Sequence, residues 1–172
     1  MERKNVTFLT QSAMIAAIYV VLTVVFAPFS FGEVQVRVSE MLTILPIFTP
    51  AAIPGLFVGC LIGNVLGGAV LPDIIFGSLA TLIGAVCTWK LRDQKHWIAA
   101  LPPVVANICI VPFVLRYAYG VLLPIPLMML TVGIGEVISC EIFGCILAAV
   151  LGKYSQRIWK PAVSEASDRS EL

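Results

Sequence analysis

The chain has 172 residues, 59% of them hydrophobic and only 12% charged, with 11 Lys and Arg set against 10 Asp and Glu. A mean hydropathy of +0.99 excludes an ordinary soluble domain. At about 20 residues per membrane span, the length suits one compact bundle of about six spans and leaves no room for a second folded domain.

The basic residues Arg3 and Lys4 precede a first apolar run, Phe8 to Ala27. This run is longer than a signal-peptide core and ends in Ala27-Pro28-Phe29 rather than a small-x-small cleavage site, so a retained first span is expected. The segment from Pro28 to Ser39 interleaves Phe31, Val34, Val36 and Val38 with Glu33, Gln35, Arg37 and Ser39. Near-alternation of this kind predicts extended chain, read as a structured loop over the external mouth. The second span, about Glu40 to Phe48, is short and bounded by Pro46, Pro50 and Pro54, which predicts a broken or partial crossing. The third, about Ala51 to Leu71, carries Gly55, Gly59, Gly63 and Gly67, a smooth stripe that lets another backbone approach closely. The fourth runs from about Asp73 to Trp89, and a polar break at 89 to 96 holds Lys90, Arg92 and Lys95. The fifth, about Trp97 to Tyr119, contains Pro102, Pro103 and Pro112, where kinks are expected. The sixth runs from about Pro126 to Leu151, ahead of Lys153, Arg157 and Lys160 and a polar tail, 156 to 172, predicted to be disordered.

Positive loops face the cytoplasm, and the three basic clusters are compatible only if an even number of spans separates each from the next. Both termini are therefore expected in the cytoplasm, around a single transmembrane domain over residues 1 to 155. No inverted repeat is visible in the hydropathy. Cys60, Cys87, Cys109, Cys140 and Cys145 are odd in number and all lie in apolar segments, so they read as small buried hydrophobes without a disulfide or metal role. Gly152-Lys153 is followed by Tyr154 and lacks the upstream glycine of a phosphate loop, so the chain is not expected to hydrolyse ATP. Neither H-E-x-x-H nor G-x-S-x-G occurs, and no enzymatic activity, cofactor or metal is expected.

Against this apolar background, Glu33, Glu40, Asp73, Glu136 and Glu141 are opposed only by Arg37 and Arg116. A carboxylate in hydrocarbon costs at least about 2 kcal/mol unless paired, hydrated or protonated, so such residues tend to line sites. Glu136 and Glu141 are five residues apart, about 140° around a helix and roughly 7.5 Å along it. They cannot share one face at one depth: Glu136 is assigned a ligand contact, while Glu141 is a ligand contact or a protonated structural acid. Arg37 and Glu40, at the entry to span two, form either a local ion pair or a ligand edge. Asp73, after Pro72, is first a helix cap and second a ligand group. Asn64 and Asn107 are amides at membrane depth that require partners, from other helices or a ligand's planar edge. Arg116, Tyr117 and Tyr119 read as interfacial anchors.

Ala13-Met14-Ile15-Ala16-Ala17 in span one contains a small-x-x-x-small pair, Ala13 and Ala17. In a six-span chain of this length it resembles the motif by which substrate-binding S components of energy-coupling-factor (ECF) transporters dock on their coupling subunit. FGEVQVRVSE from Phe31 to Glu40, followed by Met41-Leu42, and GLFVGCLIGNVLGG leading to Pro72-Asp73, resemble the queuosine-precursor transporter (QueT) family over residues 8 to about 155. The resemblance implies an all-α S-component bundle of six transmembrane helices in a bacterial plasma membrane. It further implies a deazapurine ligand such as 7-aminomethyl-7-deazaguanine (preQ1), with one transmembrane coupling subunit and two ATPase subunits as partners and no nucleic acid. A guanine-like edge with a cationic aminomethyl arm suits the acidic surplus, and Arg37, Glu40, Asn64, Asp73, Asn107, Glu136 and Glu141 are the candidate ligand contacts. The alternative is a stand-alone proton-coupled carrier titrating at Glu136 or Glu141.

Overall fold

The computed structural model describes the backbone of residues 2–26 and 36–158 and the side chains of 5–26 and 36–154. The expected extended loop falls largely at 27–35, with Glu33 in it, and the polar tail falls largely at 159–172. Both lie outside the described residues. Within the described residues the chain is entirely helical. Helices α1 (Glu2–Val25), α2 (Ala52–Leu66), α3 (Leu71–Lys90) and α4 (His96–Tyr117) are followed by α5 (Ile125–Glu136), a π-helical segment (Val137–Phe143) and α6 (Gly144–Ile158). A 3-10 helix, Val38–Ile47, stands between α1 and α2. Four stretches are long and apolar enough to cross a membrane, Asn5–Val25, Leu71–Lys90, His96–Tyr117 and Ile125–Tyr154, while the 3-10 helix and α2 are shorter apolar helices.

Helix α1 has two faces. Ser12, Ile15, Ala16, Tyr19 and Thr23 recur at helical spacing and are buried, whereas Ala13, Met14, Ala17, Ile18 and Val21 are exposed. The buried face meets the glycine stripe of α2. A Cβ on Gly55 would stand 2.7 Å from the Ser12 carbonyl oxygen, and one on Gly59 would stand 2.8 Å from Tyr19 Cβ. Gly63 faces Thr23 at 3.2 Å. The expected close approach is thus made by the first three glycines, and Gly67 instead ends α2 as its C-cap. Ser12 reinforces the seam by donating to the Ala51 carbonyl at 2.8 Å.

Helices α3 and α4 pack together along their length. Pro103 has no N–H with which to bond the Ala99 carbonyl one turn back, and Thr88 Oγ1 donates to that carbonyl at 2.8 Å. Gly84 makes room at the same place, since a Cβ there would lie 2.7 Å from Pro103 Cα. Pro103 is thereby accommodated inside α4, which also contains Pro102 and Pro112.

The short second element is the centre of the bundle. Its 10 residues include Pro46 and touch α1, α2, α3, α4, α6 and the π segment. A 3-10 run of this length is unusual and often marks a functional element. Leu42 and Leu45 join Ile15, Leu56 and Ala85 in one apolar cluster, while Ile44 packs with Ala99, Ala100 and Ala148 in a second. Ser39, Glu40 and Thr43 are the polar, buried positions of the 3-10 helix.

Candidate ligand-binding site

The buried charged residues among those described are Arg37, Glu40, Asp73 and Glu136, three acids against one base. Glu40 comes from the first turn of the central 3-10 helix and is fully buried. Tyr19 of α1 donates to its Oε1 at 2.5 Å, a short charge-assisted bond, and Thr81 of α3 lies 3.2 Å from the same oxygen as a donor. Glu40 Oε2 has no hydrogen-bond partner within the described residues.

Glu136 closes α5 and is likewise buried. The following π segment brings Cys140 back beneath it, so that the thiol reaches Glu136 Oε2 at 3.3 Å. Thr43 Oγ1, which donates to the Glu40 carbonyl at 2.6 Å, lies 3.5 Å from Cys140 Sγ and ties the π segment to the 3-10 helix. Glu40, Glu136 and Cys140 each place a ligand atom within 4.8 Å of the other two. Asn107 of α4 adjoins Glu136 and is placed to donate to it, while its amide oxygen makes no hydrogen bond. Ser139 Oγ, also buried, is unpartnered. This half of the site is two carboxylates, an amide and two small donors, and the Arg37 guanidinium is the one cation whose charge reaches both carboxylates among the described residues. This half is suited to holding a cation or a group rich in N–H donors.

The second half lies one to two turns along α3. Asp73, Gly77 and Thr81 follow at four-residue intervals and so share a face. Asp73 is not a helix cap: Val70 is the N-cap and makes no side-chain capping bond, Pro72 sits in the first turn, and Asp73 turns inward. Its Oδ2 accepts from Tyr119 at 2.9 Å and faces Arg37 Nη2 at 3.6 Å. The ion pair thus joins Arg37 to Asp73, not to Glu40 three residues on. Asn64 of α2, with its Nδ2 donating to Cys60 Sγ at 3.6 Å, approaches the same spot. A Cβ added to Gly77 would stand 3.2 Å from Asp73 Oδ1, 3.3 Å from Asn64 Nδ2 and 3.8 Å from Arg37 Nη1. Asp73 Oδ1 has no hydrogen bond of its own.

Tyr119 also accepts from the Val70 N–H at 3.3 Å, joining the loop after α4 to the start of α3. Its burial and, next, the negative charge of Asp73 raise its phenol above the ordinary tyrosine range. Arg116, by contrast, donates to the Val121 carbonyl at 3.1 Å, and Tyr117 is exposed.

The structure therefore brings Arg37, Glu40, Asn64, Asp73, Asn107 and Glu136 into one interior region, drawn from the 3-10 helix and its approach, α2, α3, α4 and α5. Glu141 is elsewhere: it is half-buried, and its nearest polar partner is the Cys145 thiol at 4.0 Å. Ala13 and Ala17 lie on the exposed face of α1. Sequence reasoning missed Tyr19, Thr81, Tyr119, Ser139, Cys60 and Cys140. Four-residue steps from Asp73 to Thr81, from Cys60 to Asn64 and from Glu136 to Cys140 were available as signals, whereas nothing local marks Tyr19 or Ser139. The five cysteines are free, but Cys60 and Cys140 sit among polar groups and Cys109 is exposed, so they are not uniformly buried hydrophobes.

No solved structure matches the chain. A relative named Queuosine precursor transporter QueT, from Lactococcus lactis subsp. cremoris (strain MG1363), is 31% identical over 103 residues, covering 56% of this chain. The match spans 60% of that relative's length. The sequence model described as QueT transporter matches residues 9–153, a span that contains all six converging residues. The chain belongs to the QueT transporter family.

Proposed function

We propose that the chain is the substrate-capture S subunit of an ECF-type importer and binds a queuosine precursor, preQ1 or a close relative, from the external side. The observation that carries this reading is the interior set of acids. Glu40 and Glu136 approach within 4.8 Å, with Glu40 Oε2 and the Asn107 amide oxygen unpartnered, while the buried cation Arg37 is set against Asp73. A ligand with a protonated aminomethyl arm would add positive charge to this half, and its ring would supply donors and acceptors for Asn64, Asn107 and Asp73. Six converging helical elements would form one transmembrane domain with both termini in the cytoplasm. The exposed small residues Ala13 and Ala17 would receive the coupling subunit, and two ATPase subunits would supply the energy.

Two measurements test the reading. The purified chain should bind preQ1, and Glu136→Gln should weaken that binding by about tenfold or more, the loss expected when a buried ammonium loses its carboxylate. Unchanged affinity removes Glu136 from the site. Copurification from native membranes should bring down a coupling subunit and ATPases; a chain that transports alone in proteoliposomes under a pH gradient would instead be the proton-coupled carrier. The close Glu40 and Glu136 pair is the feature that keeps that second reading in view, since two carboxylates this near repel each other when both are ionised, which favours a proton on one of them. Glu141, outside the cluster, is the weaker candidate for such a role.

A further inference from the structure

We propose that Asp73 and Asn64, meeting over the bare backbone of Gly77, form the seat for the ligand's flat two-donor edge, and that the Arg37 guanidinium holds this seat until the ligand replaces it. The inference rests on the functional reading above and adds an orientation and a competitor to it.

Four observations support it. Asp73 is 3% exposed and Asn64 2%, so the polar groups that close over Gly77 are shielded from water. Asp73 Oδ1 points at that place without a hydrogen bond, and Asn64 Nδ2 comes to the same point. An acceptor and a donor side by side on a surface with no Cβ match the edge of a planar heterocycle, where N–H groups stand beside a carbonyl. Finally, the group that faces Asp73 in this structure is itself a planar fork of N–H donors. Arg37 Nη2 is 3.6 Å from Oδ2, well outside the roughly 2.7–2.9 Å of a closed charge-assisted pair. The N1–H and 2-amino groups of a 2-aminopyrimidinone ring present the same fork as a guanidinium, at the same spacing and without its charge. A ring edge can therefore take the place of Arg37 and close to a shorter distance. The aminomethyl arm is then directed along α3, past Thr81, which reaches Glu40 Oε1 at 3.2 Å. It ends between Glu40 and Glu136.

The test uses the full chain in detergent and two probes measured by calorimetry: preQ1, and 7-deazaguanine, which keeps the ring edge and lacks the arm. Asp73→Asn should weaken both by a similar factor of about ten or more, leaving their ratio unchanged. Glu136→Gln should weaken preQ1 and collapse its advantage over 7-deazaguanine. Arg37→Gln should tighten both several-fold, because a competitor for the seat is gone. If Arg37→Gln or Arg37→Lys weakens both probes by about tenfold or more, Arg37 is a direct ligand contact and the placeholder role is overturned. Lys retains the charge beside Asp73 and so protects the fold while removing the planar fork. If Asp73→Asn affects preQ1 alone, the orientation is reversed. Binding of neither probe by the unaltered chain overturns the functional reading itself, a result distinct from either of these.

Discussion

Three glycines of α2 offer a graded test of how α1 is held against the bundle. In Gly59→Ala the new Cβ would stand 2.8 Å from Tyr19 Cβ and 3.1 Å from the Ala16 backbone. Neither neighbour is the free end of a flexible side chain, so α1 must move away from α2. Overpacking of this kind destabilises by about 1–3 kcal/mol, offset by up to about 1 kcal/mol from the better helix propensity of alanine. Gly55→Ala meets the Ser12 carbonyl oxygen at 2.7 Å and should behave alike. At Gly63 the nearest atoms belong to the Thr23 side chain at 3.2 Å, where a shift of a few tenths of an ångström relieves the contact. Its net effect should fall within about 1 kcal/mol of zero. A Cβ on Gly152 would meet none of the described residues within 4 Å, and the alanine variant should be stabilised by about 0.5–1 kcal/mol. Unfolding in mixed detergent and SDS micelles, followed by circular dichroism, reads the four values on one scale. Equal losses at Gly55, Gly59 and Gly63, or a greater loss at Gly63 than at Gly59, would refute the reasoning from contact distance.

Tyr19→Phe removes one of two donors to Glu40 Oε1, leaving Thr81, while keeping the ring in place; a stability loss of about 1 kcal/mol is expected from the lost hydrogen bond, and an unfolding midpoint equal to that of the unaltered chain would contradict it. Tyr119 titrates above the ordinary tyrosine value because burial and Asp73 favour its neutral form. Its contribution is present below about pH 10 and is lost as pH rises through the higher folded value. Stability measured from about pH 8 to 11 should fall more steeply in the unaltered chain than in Tyr119→Phe, and parallel curves would contradict the assignment. Ala13→Trp places a bulky ring on the exposed face of α1; it should abolish copurification of the coupling subunit while sparing preQ1 affinity, and normal assembly would remove this face from the interface.

Much of the fold was legible because hydropathy and breaker residues act locally. Apolar runs marked all the helical segments. The four-residue glycine series announced a close helix contact, although only its first three members make one. The prolines of α4 suggested kinks; the chain stays helical through them, and Thr88, on a different helix, satisfies the Ala99 carbonyl that Pro103 leaves free. Asp73 read as a cap from its place after Pro72, but its inward side chain found Tyr119 and Arg37, groups 46 and 36 positions away in the chain. Local spacing likewise suggested an Arg37 and Glu40 pair that the tertiary contacts do not make.

The sequence alone determined that this is a membrane protein with more buried acid than base, because an apolar chain cannot hide ionisable residues from a composition count. It also suggested that Glu136 and Glu141 would diverge, on an α-helical geometry that the π segment between them does not keep. Only the tertiary structure decided which acids meet. A short 3-10 helix at the centre carries Glu40 to Glu136, and α3 turns Asp73 towards Arg37 and Asn64. The physical reason is that carboxylate placement at membrane depth depends on which helix faces cross, and those crossings are decided by close-packed glycines and prolines distant in sequence from the charges they bring together.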